Sequence, residues 1–220
     1  KTFEMKQKFT ILFDLDGTLV DTAPDLMLAH NHVMKKFGYP TKSTEDIRNL
    51  VGKGAGALIG RSIWGQAKKE FSKVLDEKIK DEMVKEFVNF YGKNIKKEST
   101  LINGVKDFLI WCKEQNISMA VCTNKQEHLA IDLLKKIGIY DFFEYVAGHN
   151  TFEYCKPDPR HLTSVVEILG GDIKKTLMIG DSETDANAAK NAGMPVILLE
   201  DGYTEKNTTE IYHNHLVKDF

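Results

Sequence analysis

The chain has only three cysteines in 220 residues: Cys112, Cys122 and Cys155. An odd number cannot pair completely within one chain, and their spacing matches no metal-finger pattern, so a disulfide framework and a structural zinc site are both unexpected. A reduced compartment, the cytoplasm, fits this usage. Net charge is equally scarce. The 30 basic side chains against 32 acidic ones leave −2, which removes the electrostatic case for a nucleic-acid partner. No apolar run approaches the ~20 residues of a membrane-spanning helix, and the N-terminus shows no signal-peptide pattern, so no membrane partner is expected. Internal repeats and low-complexity linkers are absent too.

What the chain does have is a set of short, nearly continuous apolar runs at 9–13, 118–123, 145–147, 176–179 and 196–199. Such runs suit strands buried on both faces, as in a parallel sheet. Helical patterns alternate with them. Val105, Phe108, Leu109 and Cys112 fall on one helical face; Leu129, Leu133, Leu134 and Ile137 repeat the pattern, with Gly138 where the helix should stop. A small-residue helix over 186–192 ends at Gly193 and Pro195. This alternation predicts an α/β fold with a Rossmann-like, doubly wound parallel sheet.

One stretch breaks the rhythm. Between Leu19 and Leu101 the pattern is helical, with no convincing strand. A helix starts at Thr22 and Pro24 and ends before Gly38 and Pro40, and another runs from about 76 to 91. The reading is an all-helical domain over 20–96, inserted into an α/β core made of 1–19 and 97–220, with short joints near 19–22 and 96–101.

Four separated features carry possible chemistry. Asp14-Leu15-Asp16-Gly17-Thr18 ends the first strand, and period-two geometry sends Asp14 and Asp16 the same way. An ordinary Asp-Gly turn explains Asp16-Gly17, but not a second carboxylate at the end of a buried strand. Gly180-Asp181-Ser182-Glu183-Thr184-Asp185 follows another strand, and Asp185 alone could cap the next helix. Thr123-Asn124 could cap a helix, and Lys156, followed by Pro157, could be a solvated lysine. Together they have a shared logic, because open α/β sheets bind ligands at the carboxyl ends of their strands. Asp14 and Asp181 would crowd negative charge there, which a dication such as Mg²⁺ neutralises. Thr123, Asn124 and Lys156 supply donors for phosphoryl oxygens. A carboxylate nucleophile, a metal, a lysine and hydrogen-bond donors make up a phosphoryl-transfer site.

These four motifs, in this order, resemble those of the haloacid dehalogenase (HAD) superfamily of phosphohydrolases, and the helical insertion sits where that family's C1 cap lies. Leu19-Val-Asp-Thr-Ala-Pro-Asp-Leu26, the segment 51–55, Cys155-Lys-Pro-Asp-Pro159 and Asp201-Gly-Tyr-Thr204 are most similar to the bacterial phosphoglycolate phosphatases. Leu101-Ile-Asn-Gly-Val105 departs from that group's more usual Tyr/Phe-Pro-Gly-Val, at the hinge rather than at the chemistry. The resemblance implies Asp14 as nucleophile and Asp16 as general acid and then base. It implies Mg²⁺ held by Asp14, the backbone carbonyl of Asp16 and Asp181, with Asp185 in support. Thr123, Asn124 and Lys156 would bind the phosphoryl group. The implied substrate is a small phosphorylated metabolite, 2-phosphoglycolate first. A pyrophosphatase, a nucleotidase, a sugar phosphomutase or a non-catalytic phosphate-binding regulator would share much of the pattern, and the chain could act as monomer or homodimer.

Three further features need a reading. Gly52-Lys53-Gly54-Ala55-Gly56 lacks the spacing of a nucleotide P-loop; Lys53 and Gly54 belong either to a cap loop that senses the substrate or to a flexible helix connection. His213 and His215 are expected on a surface tail. Trp64 and Trp111 are expected in core or cap packing.

Overall fold

The computed structural model describes the backbone of residues 8–70 and 77–220, and side chains within that set outside 64–77. In chain order the elements are β1 (Thr10–Phe13), β2 (Val20–Asp21), α1 (Ala23–Phe37), α2 (Thr44–Arg48), α3 (Ala55–Glu70) and α4 (Glu77–Lys93). They continue as β3 (Thr100–Leu101), α5 (Val105–Glu114), β4 (Ser118–Cys122), α6 (Glu127–Ile137), β5 (Tyr145–Ala147) and α7 (Arg160–Ile168). The chain closes with β6 (Thr176–Gly180), α8 (Glu183–Ala192), β7 (Val196–Leu199) and β8 (His215–Val217).

Six strands form one sheet in the order β5-β4-β1-β6-β7-β8, and every neighbouring pair is parallel. β1 lies centrally, with Phe13 level with Val121 on one side and Ile179 on the other. Period two then separates its side chains. Ile11 and Phe13 pack with Leu109 of α5 and Leu133 of α6, whereas Leu12 packs with Val165 of α7 and Ala189 of α8. Helices therefore cover both faces, as a parallel sheet of apolar strands requires. The fold is the doubly wound α/β architecture expected from the sequence.

Between β2 and β3 the chain is helical. Leu26, Ala29 and Val33 of α1 join Ile59 of α3 and Met83 and Phe87 of α4 in a core continuous with one face of the sheet. Among the described residues, no helix is long and apolar enough to cross a membrane.

The structure departs from the sequence reading in three places. β2 and β3 pair antiparallel, Val20 with Leu101 and Asp21 with Thr100, where no strand was expected. Two residues per strand are too few to show a period. The tail adds an edge strand, β8, parallel to β7; His215 lies in it, exposed, and His213 bonds the Ile211 carbonyl at 2.7 Å. Trp111 is not core: it stays 49 % exposed, stacked on Phe108 at 5.8 Å. Trp64 lies outside the described side chains.

Candidate active site

The end of β1 and the end of β6 meet at one point. The Asp14 N–H donates to the Ile179 carbonyl at 2.9 Å, so Asp14 continues the parallel ladder at the carboxyl end of the central strand. β6 runs on into Asp181. Ser182 is the N-cap of α8, and Asp185 stands one turn inside it. Ser182, rather than Asp185, is thus the cap residue. The side chains of Ser182 and Asp185 form a reciprocal capping box, in which Asp185 Oδ2 accepts from the N–H groups of Asp181 and Ser182 at 3.0 and 3.2 Å. The box turns the other oxygen, Oδ1, inward to the Lys156 ammonium at 2.6 Å.

Asp14, Asp181 and Asp185 thus come together, each offering an oxygen within 4.8 Å of the others, and all three are buried. Lys156, 3 % exposed, also lies 3.0 Å from Asp14. Asp181 accepts from the Thr18 hydroxyl at 2.8 Å and from the Tyr203 N–H at 2.7 Å. Burial, and next the charge of Asp185, push the Asp14 carboxyl up to about 7 against the pull of Lys156. Burial followed by the charges of Asp14 and Asp185 drives Asp181 well above the usual carboxylate range. Burial opposes the charge on Lys156, yet Asp14 and Asp185 outweigh it and hold its pKa above the usual lysine value. One lysine against three buried carboxylates leaves a deficit of positive charge. A donor set made only of carboxylate oxygens fits a hard divalent cation, so the residues present suit the metal that the sequence implies.

Asp16 stands apart from that cluster. Its Oδ1 accepts from the Thr22 hydroxyl at 2.6 Å and from the Lys125 ammonium at 2.8 Å. Asp14 and Asp16 nevertheless line one pocket, together with Thr123, Asn124 and Lys125. Thr123 Oγ1 accepts the Lys125 N–H at 3.0 Å, which leaves its own proton to donate. The Asn124 amide is used otherwise than expected. It donates to the Gly52 carbonyl at 3.0 Å and to the Lys156 carbonyl at 2.8 Å, because a buried amide must place its N–H groups. Asn124 therefore ties the loop before α3 to the loop that carries Lys156. Gly54 lines the pocket at that closure: its φ is +88°, and a Cβ there would come to 3.2 Å from the Asn124 carbonyl. The Lys53 side chain is exposed and lines neighbouring cavities instead.

Three contributors escaped the sequence reading. Thr18 and Tyr203 hold Asp181, and Lys125 holds Asp16. Lys125 follows Thr123-Asn124 in the loop after the fully buried strand β4, a position with no local mark of its own.

Residues 11–199 match the family described as haloacid dehalogenase-like hydrolase. The chain belongs to that family. A phosphoglycolate phosphatase of Caulobacter vibrioides is 40 % identical over 197 residues, covering 90 % of this chain and 81 % of that protein. One from Mesorhizobium japonicum is 36 % identical, covering 96 % of this chain and 90 % of its own length. The crystal structure of a predicted phosphoglycolate phosphatase from Haemophilus somnus superposes with a TM-score of 0.90 at 31 % identity, covering 98 % of this chain and 96 % of that one.

Proposed function

We propose that this chain is a Mg²⁺-dependent, cytoplasmic phosphatase that hydrolyses 2-phosphoglycolate to glycolate through an aspartyl-phosphate on Asp14. The observation that supports the reading is the separate placement of two aspartates in one pocket. Asp14 sits with Lys156, Asp181 and Asp185, and Asp16 sits with Thr22 and Lys125. The substrate is assigned from the relatives' activity.

Asp14 attacks phosphorus, and the bond from phosphorus to the substrate's alkoxide oxygen breaks. Lys156 beside Asp14 binds the phosphoryl oxygens and keeps the attacking carboxylate oriented. The Thr123 hydroxyl donates to the same group. Asp16 gives its proton to the leaving alkoxide, then takes one from the water that attacks the aspartyl-phosphate, which restores Asp14. Asp14, the Asp16 carbonyl and Asp181, with Asp185 in support, would hold Mg²⁺, which would supply positive charge for the phosphoryl oxygens. Residues 20–96 act as a cap over a core formed by 1–19 and 97–220; the Gly52–Asn124 bond and the close approach of Gly54 support closure of the cap around the substrate.

A panel of 2-phosphoglycolate, p-nitrophenyl phosphate, a hexose phosphate, a nucleoside monophosphate and pyrophosphate, assayed with Mg²⁺ and with chelator, tests the reading. The highest kcat/KM should fall on 2-phosphoglycolate, and chelation should stop every reaction. No hydrolysis of any ester would return the chain to a phosphate-binding role.

A further inference from the structure

Lys125 is the one pocket lysine that the phosphoryl chemistry leaves without a ligand of its own. It is 9 % exposed, on the loop after β4, and its ammonium lies 4.5 Å from the ring centroid of Tyr91 on α4. Tyr91 is 1 % exposed and lines the same pocket, yet its hydroxyl has no hydrogen-bond partner among the described residues. An unpartnered buried hydroxyl is costly unless something fills the vacancy. Burial pushes the Tyr91 phenol up to about 12, so it keeps its proton and can donate. Burial opposes the charge on Lys125, but Asp16 outweighs it and keeps the ammonium charged.

Leu26, Leu58, Phe87 and Leu129 give the same pocket a largely apolar lining. A buried cation and an unused phenol in that lining ask for one compact anion. Position says which part of the substrate it is. Asp16 must reach the leaving oxygen, and Lys125 lies 2.8 Å from Asp16, whereas Lys156 lies 3.0 Å from Asp14. In 2-phosphoglycolate the carboxylate carbon is two bonds beyond that oxygen.

We propose that Lys125 and Tyr91 form the recognition site for the substrate's second anionic group, a carboxylate two bonds from the leaving oxygen. This rests on the phosphatase reading above and makes Lys125, rather than the exposed Lys53, the specificity-determining lysine. It also gives the cap a direct share in selection, since α4 carries Tyr91 and the core carries Lys125.

The test is calorimetric titration of the Mg²⁺-loaded protein with two non-hydrolysable phosphonates: 3-phosphonopropionate, which keeps the carboxylate, and propylphosphonate, which replaces it with methyl. Wild type should prefer 3-phosphonopropionate by about tenfold or more, the scale of one charge-assisted hydrogen bond. Lys125→Met should erase the preference, and Tyr91→Phe should reduce it by about threefold, the scale of one neutral hydrogen bond. Absence of a preference in wild type, or its survival in Lys125→Met, overturns the inference. So does a parallel loss of both ligands, which would leave Lys125 only as a support for Asp16. If Lys125→Met does not fold, an unchanged preference in Tyr91→Phe overturns it instead. Failure of the phosphatase reading is seen separately, as wild type that hydrolyses no phosphate ester while the binding preference remains measurable.

Discussion

The Ser99 hydroxyl donates to Oδ2 of Asp25 at 2.6 Å, and the Ser99 N–H reaches the same oxygen at 2.9 Å. The N–H groups of Lys97 and Glu98 join them, each at 3.0 Å. Asp25 lies in the first turn of α1, so one buried carboxylate clasps the chain entering the helical segment to the chain returning to the sheet. Asp25→Ala strands several of these donors. It should cost about 3 kcal/mol of stability, the scale of losing charge-assisted hydrogen bonds to a buried group, read from the urea midpoint. A loss below about 1 kcal/mol would show that water replaces the carboxylate without difficulty.

Gly17 makes a second prediction at the site itself. Its φ is +79°, and a Cβ would lie 2.8 Å from the Tyr203 ring and closer still to Oδ2 of Asp181. Gly17→Ala should destabilise the protein by about 2 kcal/mol through strain at a left-handed position. It should also weaken the stabilisation by Mg²⁺, because the atom displaced belongs to Asp181. Thermal melts with and without Mg²⁺ separate the two effects. An unchanged Mg²⁺ response would remove Asp181 from the ligand set.

The carboxylate cluster predicts a pH dependence with a definite sign. Asp14 holds its proton up to about 7 in the folded protein against 3.8 ordinarily, and Asp181 shifts the same way. Between those values the folded chain binds more protons than the unfolded one. Metal-free stability should therefore fall as pH rises from about 4 towards about 7, where Asp14 ionises in the fold. Mg²⁺ prefers the ionised cluster, so its stabilising effect should grow from pH 5 to pH 8. Melting temperatures at both values, with Mg²⁺ and with chelator, check this; a Mg²⁺ effect larger at pH 5 would contradict it.

The strands at 145–147 and 196–199 were legible because a parallel strand buried on both faces is a plain apolar run. β2 and β3 were not, since two residues carry no period and only tertiary pairing makes them strands. The same division holds at the site. Asp14, Asp181 and Lys156 could be read because the ends of a parallel sheet's strands are where its ligands bind. Lys125 could not, because a lysine after a strand looks solvated until α4 brings Tyr91 over it. Asn124 was read as a phosphoryl donor; its amide instead serves two carbonyls that no local pattern announces.

The central claim is that Asp14 is the nucleophile, and the most direct measurement is kcat/KM for 2-phosphoglycolate in Asp14→Asn beside wild type, in Mg²⁺. The amide is nearly isosteric but cannot attack phosphorus, so a folded variant should lose activity by about a thousandfold or more, as expected for removing a group on which every turnover depends. A folded Asp14→Asn protein that turns over 2-phosphoglycolate at the wild-type rate would contradict the account.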